Sequence, residues 1–284
     1  MEQIIYQAAE DGIAIDRIRR EAAFSMPCKH LHDEYEIYYL LEGERYYFID
    51  RKTYHVTKGS LVFIDRGQIH QTSQAGPGSH ERILLSLKEH PFSEFLAFTG
   101  ELSLPSFFHR HSGILHLDQK EQAYAESLFA AAARELREKK AGFLHMAMGE
   151  LSRLFIFASR LYLDSDPSIP LSTQPKHRKV EEAASYIIDH FNENLSLESV
   201  AKKLYINKCY LSRIFKEASG FTVNEYINMI RIRKSRELLS STSLTVTEVA
   251  EAVGYDTITY FERVFRQYTL TSPSAYRKSQ NWTG

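Results

Sequence analysis

Four residues of the first third have the types and spacing to share one ligand. His30, His32 and Glu36 run as H-x-H-x3-E in "CKHLHDEYEIYYLLEG", and His70 closes "KGSLVFIDRGQIH". Side chains of an extended strand alternate between faces, so His30, His32, Glu36 and Tyr38 point one way. Imidazoles with a carboxylate suit a divalent transition metal. The same groups also hydrogen-bond hydroxyls, and Tyr35, Tyr38, Tyr39, Tyr46, Tyr47 and Phe48 offer rings to stack on a sugar. Three readings stand side by side. One is a metal site of His30, His32, Glu36 and His70. Another is a small-molecule pocket of His30, His32, Glu36, Tyr38 and His70. The third is a histidine cluster that only fills the core, where single aromatics also usually belong. No cofactor is expected, and no residue is assigned to catalysis.

A second pattern is duplicated. "LSLESVAKKLYINKCYLSRIFKEASGFTVNEYI" (195–227) and "TVTEVAEAVGYDTITYFERVFRQYTLTSPSAYRK" (245–278) each pass from a small polar start through Val-Ala to a short turn and an Arg-x-Phe segment. In the first copy Ser196 and Asn207 are N-cap types and Gly220 ends the second helix. Leu211, Ile214 and Phe215 point inward, leaving Lys208, Cys209, Ser212, Arg213 and Lys216 outward. In the second copy Thr245 with Glu248 forms a capping box. Gly254 supplies the turn and Asp256 caps the next helix. Tyr260, Phe261, Val264 and Phe265 pack, while Thr257, Ile258, Thr259, Glu262, Arg263 and Arg266 face out.

One helix buttresses and the next presents a cationic face, the logic of a helix–turn–helix entering a major groove. The connector "VNEYINMIRIRKSRELLSS" is one helix of roughly 18 residues, about 27 Å at 1.5 Å per residue. Such a strut sets two heads into successive grooves of double-stranded DNA, ~34 Å apart. Arg231, Arg233, Lys234 and Arg236 are expected to neutralise phosphates.

The surrounding elements must position both sets. Strand signals fill 12–88, with a hairpin expected around Glu42-Gly43-Glu44 and further strands in "TYHVTKGSLVFIDRGQIH" and "ERILLSLK". Many short strands make a sandwich or barrel. From Asp118 the spacing turns helical, in "LDQKEQAYAESLFAAAARELREKK" and then "GFLHMAMGELSRLFIFASRLYL". The wide apolar face of the latter (Leu144, Met148, Leu151, Leu154, Phe155, Ala158, Leu161) must pack on the barrel or pair across a dimer axis. Three prolines mark a linker over 164–176.

Residues 1–175 carry 19 Lys and Arg against 24 Asp and Glu, net −5, whereas 176–284 carry 16 against 12, net +4. A basic second half favours a polyanionic partner, though ordinary surface variation gives the same imbalance. Cys28 and Cys209 form no CxxC motif. The acidic start "MEQIIYQAAEDG" is no signal peptide, no apolar run spans a bilayer, and a cytoplasmic protein with no membrane partner is expected.

Residues 178–278 resemble the DNA-binding region of AraC/XylS transcription regulators, through "YLSRIFKEASGFTVNEYI" and "VAEAVGYDTITYFERVFRQYTLTSPSAYRK". By position, the resemblance implicates Cys209, Ser212 and Arg213 of the first recognition helix, and Ile258, Thr259, Glu262 and Arg263 of the second, in reading base edges. Ile258 stands where a polar residue is frequent and is limited to a thymine methyl. Glu262 either accepts from a cytosine amino group or pairs with Arg266. Leu270 replaces the usual glycine at the helix end, which implies a more tightly packed turn.

The histidine spacing resembles the two cupin motifs, with Asp65 in place of the second motif's usual proline. From about Phe24 to Leu87 the chain resembles the cupin-like arms of AraC-type regulators, which implies a small effector such as a sugar. The expected fold is α+β and multidomain: a cupin-like barrel (1–117) with two appended helices (118–163), the linker, and an all-α double helix–turn–helix (177–284). The expected function is a small-molecule-controlled transcription regulator. A homodimer is a further expectation, as is contact with RNA polymerase, with activation or repression left open. The alternatives are a metal-dependent cupin enzyme with an appended helical domain, and a DNA-binding structural protein with a vestigial barrel.

Overall fold

The computed structural model describes residues 2–21, 33–76, 78–97, 103–164 and 171–280. Among these residues the first part holds nine strands: β1 (Glu2–Glu10), β2 (Ile13–Arg20), β3 (Tyr35–Glu42), β4 (Glu44–Ile49), β5 (Lys52–Thr57), β6 (Ser60–Ile64), β7 (His70–Gln74), β8 (His80–Leu87) and β9 (Gly113–His116). They make a six-stranded sheet in the order β1-β2-β8-β3-β6-β9 and a three-stranded sheet β5-β4-β7. Every named strand pairing is antiparallel.

The aromatic run of β3 is buried on both faces, because both faces are covered. Tyr38 and Leu40 pack against Tyr47, Ile49 and Val56 between the sheets. Tyr35, Ile37 and Tyr39 pack on the opposite side against Phe108, Leu128, Phe129 and Phe155. A strand covered twice reads as a continuous apolar run rather than an alternation.

The expected hairpin at Gly43 is not a hairpin. β3 pairs with β6 and β8, whereas β4 pairs with β5 and β7, so the chain crosses from one sheet to the other there. Gly43 has φ +90, and a Cβ on it would stand 2.6 Å from the Ser79 carbonyl oxygen, so glycine makes this corner possible. The true hairpin is β4–β5, closed by Asp50 and Arg51, with Asp50 at φ 51.

Among the described residues four helices accompany the barrel: the two expected over 118–163, α3 (Gln119–Glu138) and α4 (Phe143–Asp164), and before them α1 (Glu89–Ala97) and α2 (Leu104–His111). Helices α1 and α2 are too short to show a clear 3.6-residue period. Asp118 and Glu121 form the capping box of α3. Of the wide α4 face, Leu151, Leu154, Phe155 and Ala158 are buried in the barrel-side core. That face packs on α1, α2 and α3, so it is not open for a dimer.

The second part holds α5 (Pro175–His190), α6 (Leu197–Lys203), α7 (Lys208–Ser219), α8 (Val223–Ser241), α9 (Val246–Ala252), α10 (Ile258–Thr269) and α11 (Pro273–Gln280). Helix α5 begins at Pro175, inside the stretch read as linker. Just before it Leu171 bridges Tyr54, and Ser172 N donates to Thr53 O at 2.8 Å. The core of this part includes Phe48 and Ile69 of the barrel.

Candidate nucleic-acid interface and barrel cavity

Each helix pair is fixed by local hydrogen bonds that the sequence encodes. Ser196 Oγ accepts from Ser199 N at 3.1 Å, and Asn207 Oδ1 accepts from Cys209 N at 2.7 Å. Thr245 Oγ1 accepts from Glu248 N at 3.2 Å, while Thr245 N donates to the Glu248 carboxylate at 2.7 Å. Asp256 does not cap α10. Thr257 does, its Oγ1 accepting from Tyr260 N at 3.4 Å. The two residues are adjacent capping types, and the extended backbone falls on the second.

Between α6 and α7, and between α9 and α10, the tight turn needs a left-handed residue. Tyr205 takes it at φ 54 and Gly254 at φ 85. Leu211, Ile214 and Phe215, and Phe261, Val264 and Phe265, are buried as expected. Tyr260 is not: it is 41% exposed.

The outward faces are open. Lys208, Cys209, Arg213, Lys216, Thr257, Ile258, Thr259, Glu262, Arg263 and Arg266 are exposed, and Ser212 is half-buried. In the first head each cation rests beside an acid. Arg213 Nη1 donates to Glu217 Oε1 at 3.0 Å, Lys208 lies 3.7 Å from Glu198, and Lys216 lies 3.7 Å from Glu225. In the second head no ion pair involves Arg263, Arg266 or Glu262 among the described residues, so Glu262 is not held by Arg266. Each head also braces one arginine on an aromatic ring. The Arg213 guanidinium lies 5.5 Å from the Tyr210 ring centroid, and Arg263 lies 5.0 Å from that of Tyr260. The signal was present as Tyr-x-x-Arg in both copies, and an aromatic face braces the cation on the outward surface.

The strut α8 is 19 residues long and packs against α7, α9 and α10. Its cations do not wait for phosphates. Arg231 is buried and donates to Phe191 O and Glu193 O, each at 2.8 Å. Arg233 Nη1 donates to Asp50 Oδ1 at 2.5 Å, and Arg236 pairs with Asp33. Lys234 Nζ donates to Glu237 at 2.8 Å. The first three therefore hold the molecule together.

In the barrel, a cavity of 620 Å³ opens beside the β1–β2 turn, with Glu34, Glu36, Ser86 and Lys88 in its wall. Glu36 Oε2 lies 3.3 Å from His70 Nε2. His70 Nδ1 lies 2.8 Å from Gln68 O. Both ring nitrogens thus face acceptors, which suits the protonated ring. Burial opposes the charge, but Glu36 beside it lifts the His70 pKa above its ordinary value. Tyr38 lies two residues along the same face, edge-on to Tyr47 at 5.3 Å. Its buried hydroxyl makes no hydrogen bond among the described residues. The structure thus places Glu36, Tyr38 and His70 in one barrel interior. His30 and His32 lie outside the described residues, and the four-ligand metal reading turns on them. Among the described residues, no three His, Cys, Asp or Glu gather as a metal site.

Comparison with known proteins agrees with both halves. A family described as "AraC-like ligand binding domain" matches residues 13–142, and one described as "Helix-turn-helix domain" matches 200–279. The chain is similar to regulatory protein PocR of Salmonella typhimurium, 35% identical over 107 residues, or 38% of this chain and 35% of that protein. That match spans about a third of PocR. The HTH-type transcriptional regulator YisR of Bacillus subtilis is 25% identical across 88% of each chain. The HTH-type transcriptional activator RhaS of Salmonella arizonae is 25% identical across 97% of this chain and 95% of its own. No described helix is long and apolar enough to cross a membrane. With an AraC-like ligand domain ahead of two helix–turn–helix units on one strut, the chain belongs to the AraC/XylS family of DNA-binding transcription regulators.

Proposed function

We propose that α7 and α10 read two successive major grooves, and that a small hydroxylated molecule, a sugar, occupies the Glu36 cavity and controls that reading. The DNA-facing residues are Lys208, Cys209, Ser212, Arg213, Lys216, Thr257, Ile258, Thr259, Glu262, Arg263 and Arg266. The observation that carries this is the repeated geometry of Arg213 over Tyr210 and Arg263 over Tyr260, both solvent-facing. An arginine held by an aromatic face is pre-positioned for a bidentate contact to guanine. Glu262, which has no ion pair among the described residues, is assigned to a cytosine amino group.

For the effector, Glu36 supplies an acceptor in the cavity wall; behind it stand His70, 3.3 Å from the Glu36 carboxylate, and the Tyr38 hydroxyl on the same face, with Tyr47 stacked on His70 at 6.2 Å between centroids. That set suits a polyol, and His30 and His32 belong to the same proposed pocket. Homodimerisation and contact with RNA polymerase belong to this reading as well, through surfaces other than the buried α4 face.

The test has two arms. Arg213→Ala and Arg263→Ala are each expected to weaken binding to a duplex selected from a random pool by about 1–3 kcal/mol and to relax specificity at separate positions. Unchanged affinity removes the substituted residue from the interface. A thermal-shift screen against a sugar panel is expected to raise the melting midpoint for at least one compound, since a ligand that binds only the folded state stabilises it. A flat panel contradicts the sugar assignment.

A further inference from the structure

The tip of the β4–β5 hairpin is one of the places where the barrel meets the DNA-binding lobe, and one residue there holds both. Asp50 stands at φ 51, a left-handed conformation that aspartate tolerates and most side chains avoid. Its backbone N donates to Ile69 O at 2.7 Å, and its Oδ1 accepts from Ile69 N at 3.2 Å. The same Oδ1 accepts from Arg233 Nη1 of α8, and the Asp50 carbonyl accepts from the hydroxyl of Tyr226, also on α8. Both carboxylate and guanidinium are largely shielded, with side-chain exposures of 25% and 20%. A pair so placed is screened less than a surface pair.

Ile69 is joined to the cavity by its two neighbours. His70, the next residue, faces Glu36 in the cavity wall, and its Nδ1 lies on Gln68 O. A short chain of contacts therefore runs Glu36, His70, the Gln68–Ile69 backbone, Asp50 and Arg233. Its far end is the strut that separates the two heads. Around it the contact is apolar and tight. Phe48 packs edge-on to Phe215 and Tyr226, with centroids 6.5 and 5.9 Å away.

We infer that Asp50 is the positioning residue that couples the Glu36 cavity to the DNA-binding lobe, through its hydrogen bonds to Ile69 on one side and Arg233 on the other. This rests on the reading of that cavity as the effector site. A change in the hydrogen bonding of Glu36 moves His70 and the segment before it. Asp50 passes that change to α8 because it holds both at once. Asp50 touches neither DNA nor effector in this assignment.

The experiment needs no effector, so it stands apart from the sugar screen. The full-length chain is compared with Glu36→Gln, Asp50→Asn and the double variant for affinity to the duplex selected from a random pool. Asparagine keeps the left-handed turn and the acceptor for Ile69 N but removes the charge facing Arg233. Glu36→Gln is expected to change the DNA dissociation constant at least about threefold, within the range of coupling free energies between sites. In the Asp50→Asn background the same substitution is expected to change it by less than about 1.5-fold. Arg233→Met should break the coupling from the other side, and Arg233→Lys should retain it, an outcome that a merely structural contact does not require. Equal effects of Glu36→Gln in both backgrounds, or no effect in the wild-type chain, overturn the inference. A flat sugar panel with the coupling intact would instead overturn the sugar assignment alone.

Discussion

The two heads share one pattern but not one setting. The first is built into the barrel. Phe48 and Ile69 enter its core, α7 packs on β4 and β7, and Thr53 N donates to Glu181 on α5 at 3.0 Å. The second is carried by α8, with α9 and α10 packed on the strut and on each other. The ends of the two recognition helices record the difference. Both end in a left-handed residue, Gly220 at φ 78 and Leu270 at φ 60. At Gly220 a Cβ would meet Gln71 Cγ at 2.6 Å. Leu270 is 90% exposed, so its side chain meets open solvent rather than the tighter packing expected there. The same motif therefore tolerates a bulky residue where nothing presses on it and requires glycine where the barrel does.

The largest test of this contrast is Phe48→Ala. Removing a buried ring should cost roughly 3 kcal/mol in urea denaturation. The damage should appear in hydrogen exchange of α7 more than of α10. Equal damage to both heads would dissolve the comparison. Next comes Gly220→Leu, which imposes on the first head the residue the second already has. A left-handed L-residue costs about 1–2 kcal/mol, and displacing Gln71 adds to it. A loss below that range would mean the barrel contact yields easily.

The reverse change, Leu270→Gly, should stabilise the chain by about 1 kcal/mol or less, because the relief is partly offset by the entropy of glycine. Destabilisation would show that Leu270 makes contacts that matter. The smallest effect concerns pH. His177, at the start of α5, is buried edge-on to Tyr46 at 4.7 Å, with Ser172 Oγ 2.6 Å from Nδ1. Burial, helped by Lys176, pushes its pKa from 6.5 down to about 4. The folded state thus keeps the neutral ring. Stability from this site is full above pH 6.5 and is lost as pH falls toward 4. His177→Gln should flatten that part of the stability curve, and an unchanged slope would assign the acid loss elsewhere.

What was legible in the sequence was local. Ser196, Asn207, Thr245 and Glu248 announce helix starts because the hydrogen bonds they make lie within three residues. Inward and outward faces of α7 and α10 followed from helical spacing, apart from Tyr260, whose ring has a polar tip and lies beside Arg263. Partners distant in sequence were not legible. Arg233 and Arg236 looked like phosphate ligands, yet their acids are 183 and 203 residues away. Gly43 looked like a hairpin turn because spacing reports strands but not which sheet each strand joins. The wide α4 face showed that cover was needed without saying whose. In the barrel, Glu36 and His70 lie 3.3 Å apart, a pairing that strand parity and the two motifs made legible without saying what the pair binds.

The central claim is that two braced cationic faces on one chain grip adjacent grooves. Hydroxyl-radical footprinting of the full-length chain on its selected duplex tests it most directly. Two protected patches on one side of the DNA, ~34 Å apart, are predicted, with Arg213→Ala erasing one and Arg263→Ala the other. A single patch, or two that survive both substitutions, would contradict it.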